Sequence, residues 1–526
     1  MDANDSPSGE PTGRHEPVWM DDSPQTAYDR LESDRRVEVA VVGGGIAGVT
    51  TAAKLAADGY SVALLERDRV LNGVTGHTTA KVTSLHGLVY DHLIDHFGTA
   101  RAQEYAAANE AAIDDIEATV ERRNIDCGFA RTPAYTYLRP GEDRSDVRRE
   151  VEAARQLDLP VSYVRDSDLP YDIGAAVKFD EQARFHPRRY LLELVHGIDE
   201  GGGDVFERTT VEEIDDGAPC RVATDGGTVR ADSVVVTTNF PISDDALYFA
   251  RLSPKRSYVV AARLEGETPE GMYYYPREPY FSVRPHAGEE PLVLLGGQNH
   301  RTGEGGSTEQ RYRDLERQAR EHFDVASIEY RWSTQDFVSV DHVPFVGSAG
   351  PRADHVYVAT GFGGWGMTNA TAAAMVLRDR IAGHENPWQR VFRPTRFEFG
   401  ASKSDLLSHN GHAMKHLFGA YLENRPSLDL SRLDCGEARI YDDRDDPVAA
   451  YRDETGEVHS VSAVCPHMGC LVEWNDGEHS WDCPCHGSRF DLDGSVLDTP
   501  AVDGLEALDV GDGPDTPATR SPSGNH

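Results

Sequence analysis

From Val37 to Asp68 the chain reads VEVAVVGGGIAGVTTAAKLAADGYSVALLERD: an apolar β-branched run, a glycine cluster, an alanine-rich helical stretch and a second apolar run. Short unbroken apolar runs of this kind mark buried parallel strands, so the segment predicts a βαβ unit. The same grammar returns in HVYVATGFGGWGMTNATAAAMVLRDRIAG, with Gly383 placed to stop the helix. Two glycine turns in equivalent settings are expected to face one ligand. Between them, acidic helical stretches at Thr99–Arg123 and Ser145–Leu157 alternate with strand-like runs at Ser233–Thr238, Ser257–Arg263 and Leu292–Leu295. That alternation predicts an α/β unit carrying an inserted strand-rich subdomain.

Strand periodicity is lost from about Glu385 to Leu428, where Pro387, Pro394 and Pro426 bracket a segment with a predicted helix near Ser404–Tyr421. From Ser431 onward, short strands and Gly/Asp turns predict a small all-β domain. The expected organisation is a disordered acidic tail at 1–35, a main α/β unit at 36–385, a linker with a helix at 386–430, a small β domain at 431–510 and a second disordered tail at 511–526.

Charge narrows the choice of partners. The chain has 52 Lys and Arg against 89 Asp and Glu, a formal charge of −37 that repels nucleic acid and anionic lipid. Lysine is confined to positions 54, 81, 178, 255, 403 and 415. An acidic, lysine-poor composition resembles that of proteins from salt-loving archaea, and a halophilic protein is expected. No run of roughly 18 apolar residues occurs, so no transmembrane segment is expected, and a cytoplasmic location follows.

Gly43-Gly44-Gly45-Ile46-Ala47-Gly48 fits G-x-G-x-x-G. The first glycine makes the turn, the second admits a pyrophosphate close to the backbone, and the third packs helix on strand. The helix N-terminus then offers free N–H groups to phosphate charge. Glu66, at the end of the second strand, stands where an acid bonds ribose hydroxyls and repels the 2′-phosphate of NADP. Together these residues point to a dinucleotide but do not separate FAD from NAD.

Cys465-Pro466-His467 and Cys483-Pro484-Cys485-His486 form two loops, each offering one thiolate and one imidazole. Two Cys on one iron and two His on the other is the Rieske [2Fe–2S] arrangement. By ligand softness alone a Cys/His quartet also suits zinc. Zinc leaves the second cysteine pair, Cys470 and Cys485, and the Gly-Ser after His486 unexplained.

The βαβ unit, the VTGHTTAKVTS segment after Glu66 and the ATGFGGWGMTNATAAAM segment resemble the D-amino-acid oxidase/glycine oxidase superfamily of FAD enzymes over roughly 37–385. The resemblance implies FAD as cofactor, bound by parts of about 36–90, 185–245 and 330–385, with an antiparallel-sheet substrate subdomain from about 91–184 and 246–329. It implies FAD contacts from Gly43, Gly45, Ile46, Ala47, Gly48, Glu66, Arg67, Thr78, Thr79, Gly361, Gly366, Met367 and Thr368. Lys81 and His86 fall where the superfamily approaches the flavin ring. Arg284, in a run of alternating aromatic and polar residues, is the candidate for holding a substrate carboxylate.

CPHMGC and CPCHGS resemble Rieske proteins of the cytochrome bc type over roughly 431–510. That resemblance implies Cys465 and Cys483 on one iron, His467 and His486 on the other, and a disulfide between Cys470 and Cys485. Ser488 matches a serine that donates to a bridging sulfide. Phe490 replaces a tyrosine that bonds a ligating sulfur, which implies a potential in the lower part of the Rieske range.

A flavin takes two electrons as hydride, whereas a [2Fe–2S] cluster carries them singly. The expected activity is therefore a dehydrogenase: oxidation of an amine or amino acid at FAD, with electrons leaving through the cluster to an acceptor protein or quinone. The alternative is a redox relay, sensor or reductase whose cluster exchanges electrons with a protein partner without amine turnover.

Overall fold

The computed structural model describes residues 11–242, 244, 246–288, 290–396, 408–417, 425–443, 446–510 and 519–520. Arg35–Val42 is solvent-exposed at its start and buried through its last four residues, and it pairs in parallel with Val62–Leu65 on one side and Gly227–Val236 on the other. Asp204–Phe206 and Val356–Thr360 extend the parallel arrangement, while Cys220–Thr224, Val211–Asp215 and Phe345–Ser348 add antiparallel pairs to complete an eight-stranded sheet. The helices Ile46–Ala57 and Gly366–Ile381 pack together, with Ala47, Ala52, Ala53, Ala370, Ala372, Ala373 and Ala374 buried. Small side chains let the two backbones approach, and this brings both glycine turns to one end of the sheet.

The second sheet has nine strands and is mainly antiparallel. Its centre is formed by Leu252–Leu264, Val325–Ser339, Leu292–His300 and Phe281–His286. Val325–Ser339 runs past the boundary expected at 329, so this sheet reaches the flavin-binding half as one continuous strand. The C-terminal domain is built from three- and four-stranded antiparallel sheets, the latter formed by Glu473–Asn475, Ser480–Asp482, Arg489–Phe490 and Val496–Asp498.

The expected tail at 1–35 is corrected for its described part. Arg14–His15 pairs with the strand at Tyr330, Val18–Asp21 is helical, and Trp19 is fully buried with its Nε1 donating to Thr78 O at 2.7 Å. A tryptophan of this size buries enough apolar surface to outweigh the polar composition around it. Residues 1–10 of that tail lie outside the described residues. In the linker, 408–417 is helical, as predicted for part of Ser404–Tyr421; the flanking residues 404–407 and 418–421 are outside the description. In the expected tail at 511–526, Thr519–Arg520 pairs with Leu508–Asp509 and the other residues are not described. Among the described residues, no helix is long and apolar enough to cross a membrane.

The two domains share a polar interface. Asp476 Oδ1 accepts from Thr308 N at 2.7 Å and Glu309 N at 3.1 Å, capping the first turn of the helix Thr308–His322. Glu478, from the C-terminal domain, accepts from Tyr312 Oη at 2.6 Å and pairs with Arg256 at 3.3 Å. Gln335 Nε2 donates to Gly487 O at 2.7 Å, and Arg301 donates to Cys485 O at 2.9 Å.

Candidate active site and redox centre

A cavity of about 1370 Å³ opens at the ends of the parallel strands, lined by Gly43, Gly45, Ile46, Ala47, Glu66, Arg67, Thr78, Gly366 and Met367 among others. Gly43 has φ +106°, a conformation that L side chains rarely adopt, and a Cβ on Gly48 would lie 1.9 Å from Gly43 O. Gly48 is thus a packing residue behind the cavity, not a lining one. Glu66 Oε2 accepts from Gly44 N at 2.7 Å, and its Oε1 accepts from Asp68 N at 3.0 Å. Burial nevertheless raises its pKa, and those N–H groups oppose the shift. The glycine-lined cradle, the helix start and the acid at the strand end fit an FAD, whose diphosphate requires close backbone and whose ribose requires an acceptor.

Sequence reasoning missed much of this wall. Thr209, Thr210, Thr237, Thr238, Asn239 and Asp336 line it from distant segments. So do Leu497, Asp498, Thr499, Ala501 and Val502 of the C-terminal domain. Thr499 Oγ1 donates to Thr238 O at 3.1 Å, and Arg67 donates to Leu497 O, so the second domain closes over the flavin cavity.

A second cavity of about 880 Å³ adjoins it and shares Val74, Thr78, Asp336 and Gly364. Lys81, Thr79, Lys255, Tyr274, Tyr280, Ser282, Asn299 and Trp365 line it. Lys81 Nζ bonds Ser282 Oγ and Tyr273 O. Burial, reinforced by Arg284, lowers its pKa to about 7. Lys255 and Asp336 face each other in register across two strands; burial raises Asp336 to about 6 although Lys255 opposes the shift. Lys81 and Asp336, both poised near neutrality beside the flavin cavity, can exchange protons with a substrate at working pH.

One further assignment, Arg284, is corrected, and three others, His86, Gly361 and Thr368, are located beside the two cavities. Arg284 lines neither cavity: it is fully buried, donates to Phe185 O and Ala80 O, and its guanidinium lies 5.1 Å from the Trp19 ring. It follows Ser282 on the same strand face, one step beyond the end of the cavity. His86 has both ring nitrogens engaged, Nδ1 with Tyr105 Oη at 2.6 Å and Nε2 with Thr83 O at 2.7 Å, and burial holds its pKa down at about 3. Stacked on Trp365, it lines with Gly361 a third cavity that adjoins the second through Lys255, Tyr274, Tyr280, Gly363 and Trp365. Thr368 Oγ1 donates to Thr83 O at 2.9 Å, while its backbone N–H lies in the first turn of the helix Gly366–Ile381.

In the C-terminal domain Cys465 and Cys483 are buried free thiols close enough for each to shift the other's titration, and Cys470 and Cys485 form a disulfide. The rings of His467 and His486 lie 5.0 Å apart at 87°. His486 Nδ1 is buried without a hydrogen-bond partner. Burial and His467 depress its pKa, which keeps the imidazole in the neutral, ligating form. Paired thiols, paired rings and an orphaned ring nitrogen fit a [2Fe–2S] cluster, which Cys465, Cys483, His467 and His486 would hold. The Ser488 hydroxyl reaches Cys465 while its oxygen accepts from Ala501 N at 3.0 Å. Both rings pack against aromatic residues of the flavoprotein domain, His467 with Phe240 at 6.2 Å and His486 with Phe249 at 5.9 Å between ring centroids.

Fold and sites together define a flavin-dependent oxidoreductase joined to an iron–sulfur domain. Residues 38–380 match the FAD dependent oxidoreductase family and residues 427–509 match the Rieske [2Fe-2S] domain; the chain belongs to that oxidoreductase family and carries the Rieske domain at its C-terminal side. It is 37% identical over 498 residues to YhfW of Bacillus subtilis, named as a Rieske 2Fe-2S iron-sulfur protein, covering 94% of this chain and 98% of that one. Glycine oxidase from Geobacillus kaustophilus has the same fold over 69% of this chain and 99% of its own, with TM-score 0.57 and 19% identity. L-Proline dehydrogenase from P. horikoshii likewise aligns over 70% of this chain and 99% of its own, with TM-score 0.57 and 18% identity. The cofactors are FAD and a [2Fe–2S] cluster.

Proposed function

We propose that this protein is an amine or amino-acid dehydrogenase that passes electrons singly through its Rieske centre to an acceptor protein or quinone. The observation that carries the reading is the closure of the Rieske domain over the flavin cavity, with Leu497–Val502 in its wall. Both rings of the proposed histidine ligands pack against aromatic residues of the flavoprotein domain. When bound, FAD supplies two-electron oxidation of a C–N bond and the cluster divides the pair.

The chain's own residues define the rest. Asp336 and Lys255 place a proton acceptor and a cation across from one another beside the flavin cavity, with Tyr280 beneath Lys255 at 5.2 Å. Lys81 faces the same space from the segment after Glu66. Tyr274, Tyr280 and Trp365 provide an apolar surround that limits water around the reacting bond. The fold relationship to glycine oxidase and L-proline dehydrogenase supports an amine substrate.

The test is anaerobic mixing of the holoprotein with a panel of amines and amino acids. Absorbance would follow the flavin and EPR the cluster. Flavin bleaching followed by appearance of the reduced-cluster signal is expected. A bleached flavin beside a permanently oxidised cluster defeats the route, and failure of every amine to bleach the flavin favours a relay or reductase.

A further inference from the structure

On the connecting helix beside the cluster loop, 408–417, His412 and His416 stand four residues apart and so on one face. Facing them is Glu304, in the segment between the strand Leu292–His300 and the helix Thr308–His322. Glu304 Oε1 lies 3.0 Å from His416 Nε2 and 3.5 Å from His412 Nδ1, and all three donor atoms fall within 4.8 Å of one another. A zinc ion with nitrogen and oxygen ligands at about 2.0–2.2 Å holds adjacent donors a little over 3 Å apart. The spacing therefore matches a shared ion. Simple ion pairing accounts for one imidazole on Glu304, but two protonated rings on one carboxylate oxygen repel each other.

We propose that Glu304, His412 and His416 form a divalent metal site of the zinc class, with a fourth position open to water. Two imidazoles and one carboxylate are a ligand set that zinc accepts. Glu304 and His416 are mostly buried, and His412 is 46% exposed, which leaves an entry path. Arg301 Nε, 3.6 Å from the same carboxylate oxygen, withdraws part of its charge and keeps the affinity moderate.

The site has a structural purpose. Arg301 also donates to Cys485 O, and His409, on the same helix, accepts from Arg301 at 2.9 Å and packs 6.1 Å from the His486 ring. A metal at Glu304 fastens this connecting helix to the flavoprotein domain beside the cluster loop.

The test uses tag-free holoprotein carrying FAD and cluster, titrated with ZnCl₂ by calorimetry, with bound zinc and iron counted by mass spectrometry. One zinc per chain and a raised thermal midpoint are expected. His416→Gln and Glu304→Gln, which preserve side-chain bulk, should each weaken binding by about tenfold or more, with iron and flavin contents unchanged. Absence of binding at about 100 µM free zinc overturns the proposal. So does zinc binding that the double variant His412→Ala/His416→Gln leaves unaltered.

Discussion

Gln335 and Asp336 are consecutive on one strand and face opposite ways: Gln335 Nε2 donates to Gly487 O at 2.7 Å, next to the proposed ligand His486, while Asp336 lines both the flavin cavity and its neighbour. The two-residue repeat of a β-strand makes this single element the wall between the two redox sites.

Gln335→Leu keeps the bulk and removes the donor. The flavin should reduce with substrate at the wild-type rate, while electron arrival at the cluster slows by about tenfold, because the loop loses one of its anchors. Stopped-flow absorbance paired with freeze-quench EPR separates the two steps, and equal slowing of both contradicts the assignment.

Asp336 titrates at about 6 because burial disfavours its charge. If its carboxylate accepts the substrate proton, kcat/KM rises with pH through that value and levels off above it. Asp336→Asn should abolish this limb and lower kcat/KM by about 10²–10⁴-fold. An unchanged limb in the variant assigns the titration to another group.

Lys81 gives the stability of the fold a pH dependence of its own. Its pKa falls from 10.5 to about 7 in the folded protein, so between those values the unfolded chain holds a proton that the folded chain has released. Stability therefore decreases as pH drops from about 10.5 to about 7 and stays low below that. Lys81→Met should raise stability at pH 6 by roughly 1–3 kcal/mol, with the gain vanishing near pH 10.5. Denaturant melts across that range provide the check.

Phe490 is fully buried beside the proposed cluster ligands in the core of the C-terminal domain. Phe490→Tyr supplies a hydroxyl that can donate to a ligating sulfur. A hydrogen bond of about 1 kcal/mol raises a one-electron midpoint by about 40 mV. Redox titration followed by EPR measures it, and a fall or no change contradicts the reading.

Trp19 holds the carbonyl of Thr78, in the wall of the flavin cavity, and Trp332 Nε1 holds that of His77 at 2.8 Å. Trp19→Ala should cost about 3–5 kcal/mol in stability and loosen FAD binding. Flavin release during a thermal melt reports both effects, and a melt identical to wild type refutes the structural role of this segment.

Legibility from sequence followed locality. Gly43–Gly48, Glu66 and the two Cys/His loops are short motifs whose chemistry is set within a few residues, and the structure places them around the flavin cavity or in the paired loops. Asp336, Thr237 and Thr209 carry no motif; they meet only because distant strands end together. Arg284 shows the limit of alternation. Phe281–His286 is buried on both faces, so period two places Arg284 with Ser282 but says nothing of where the cavity ends. Trp19 sits within polar, Pro-rich surroundings whose composition masks one large apolar anchor.

The wall contributed by Leu497, Thr499 and Val502 makes the nucleotide pocket a property of both domains. Any change that shifts how the C-terminal domain seats therefore alters the surroundings of the flavin as well as those of the cluster.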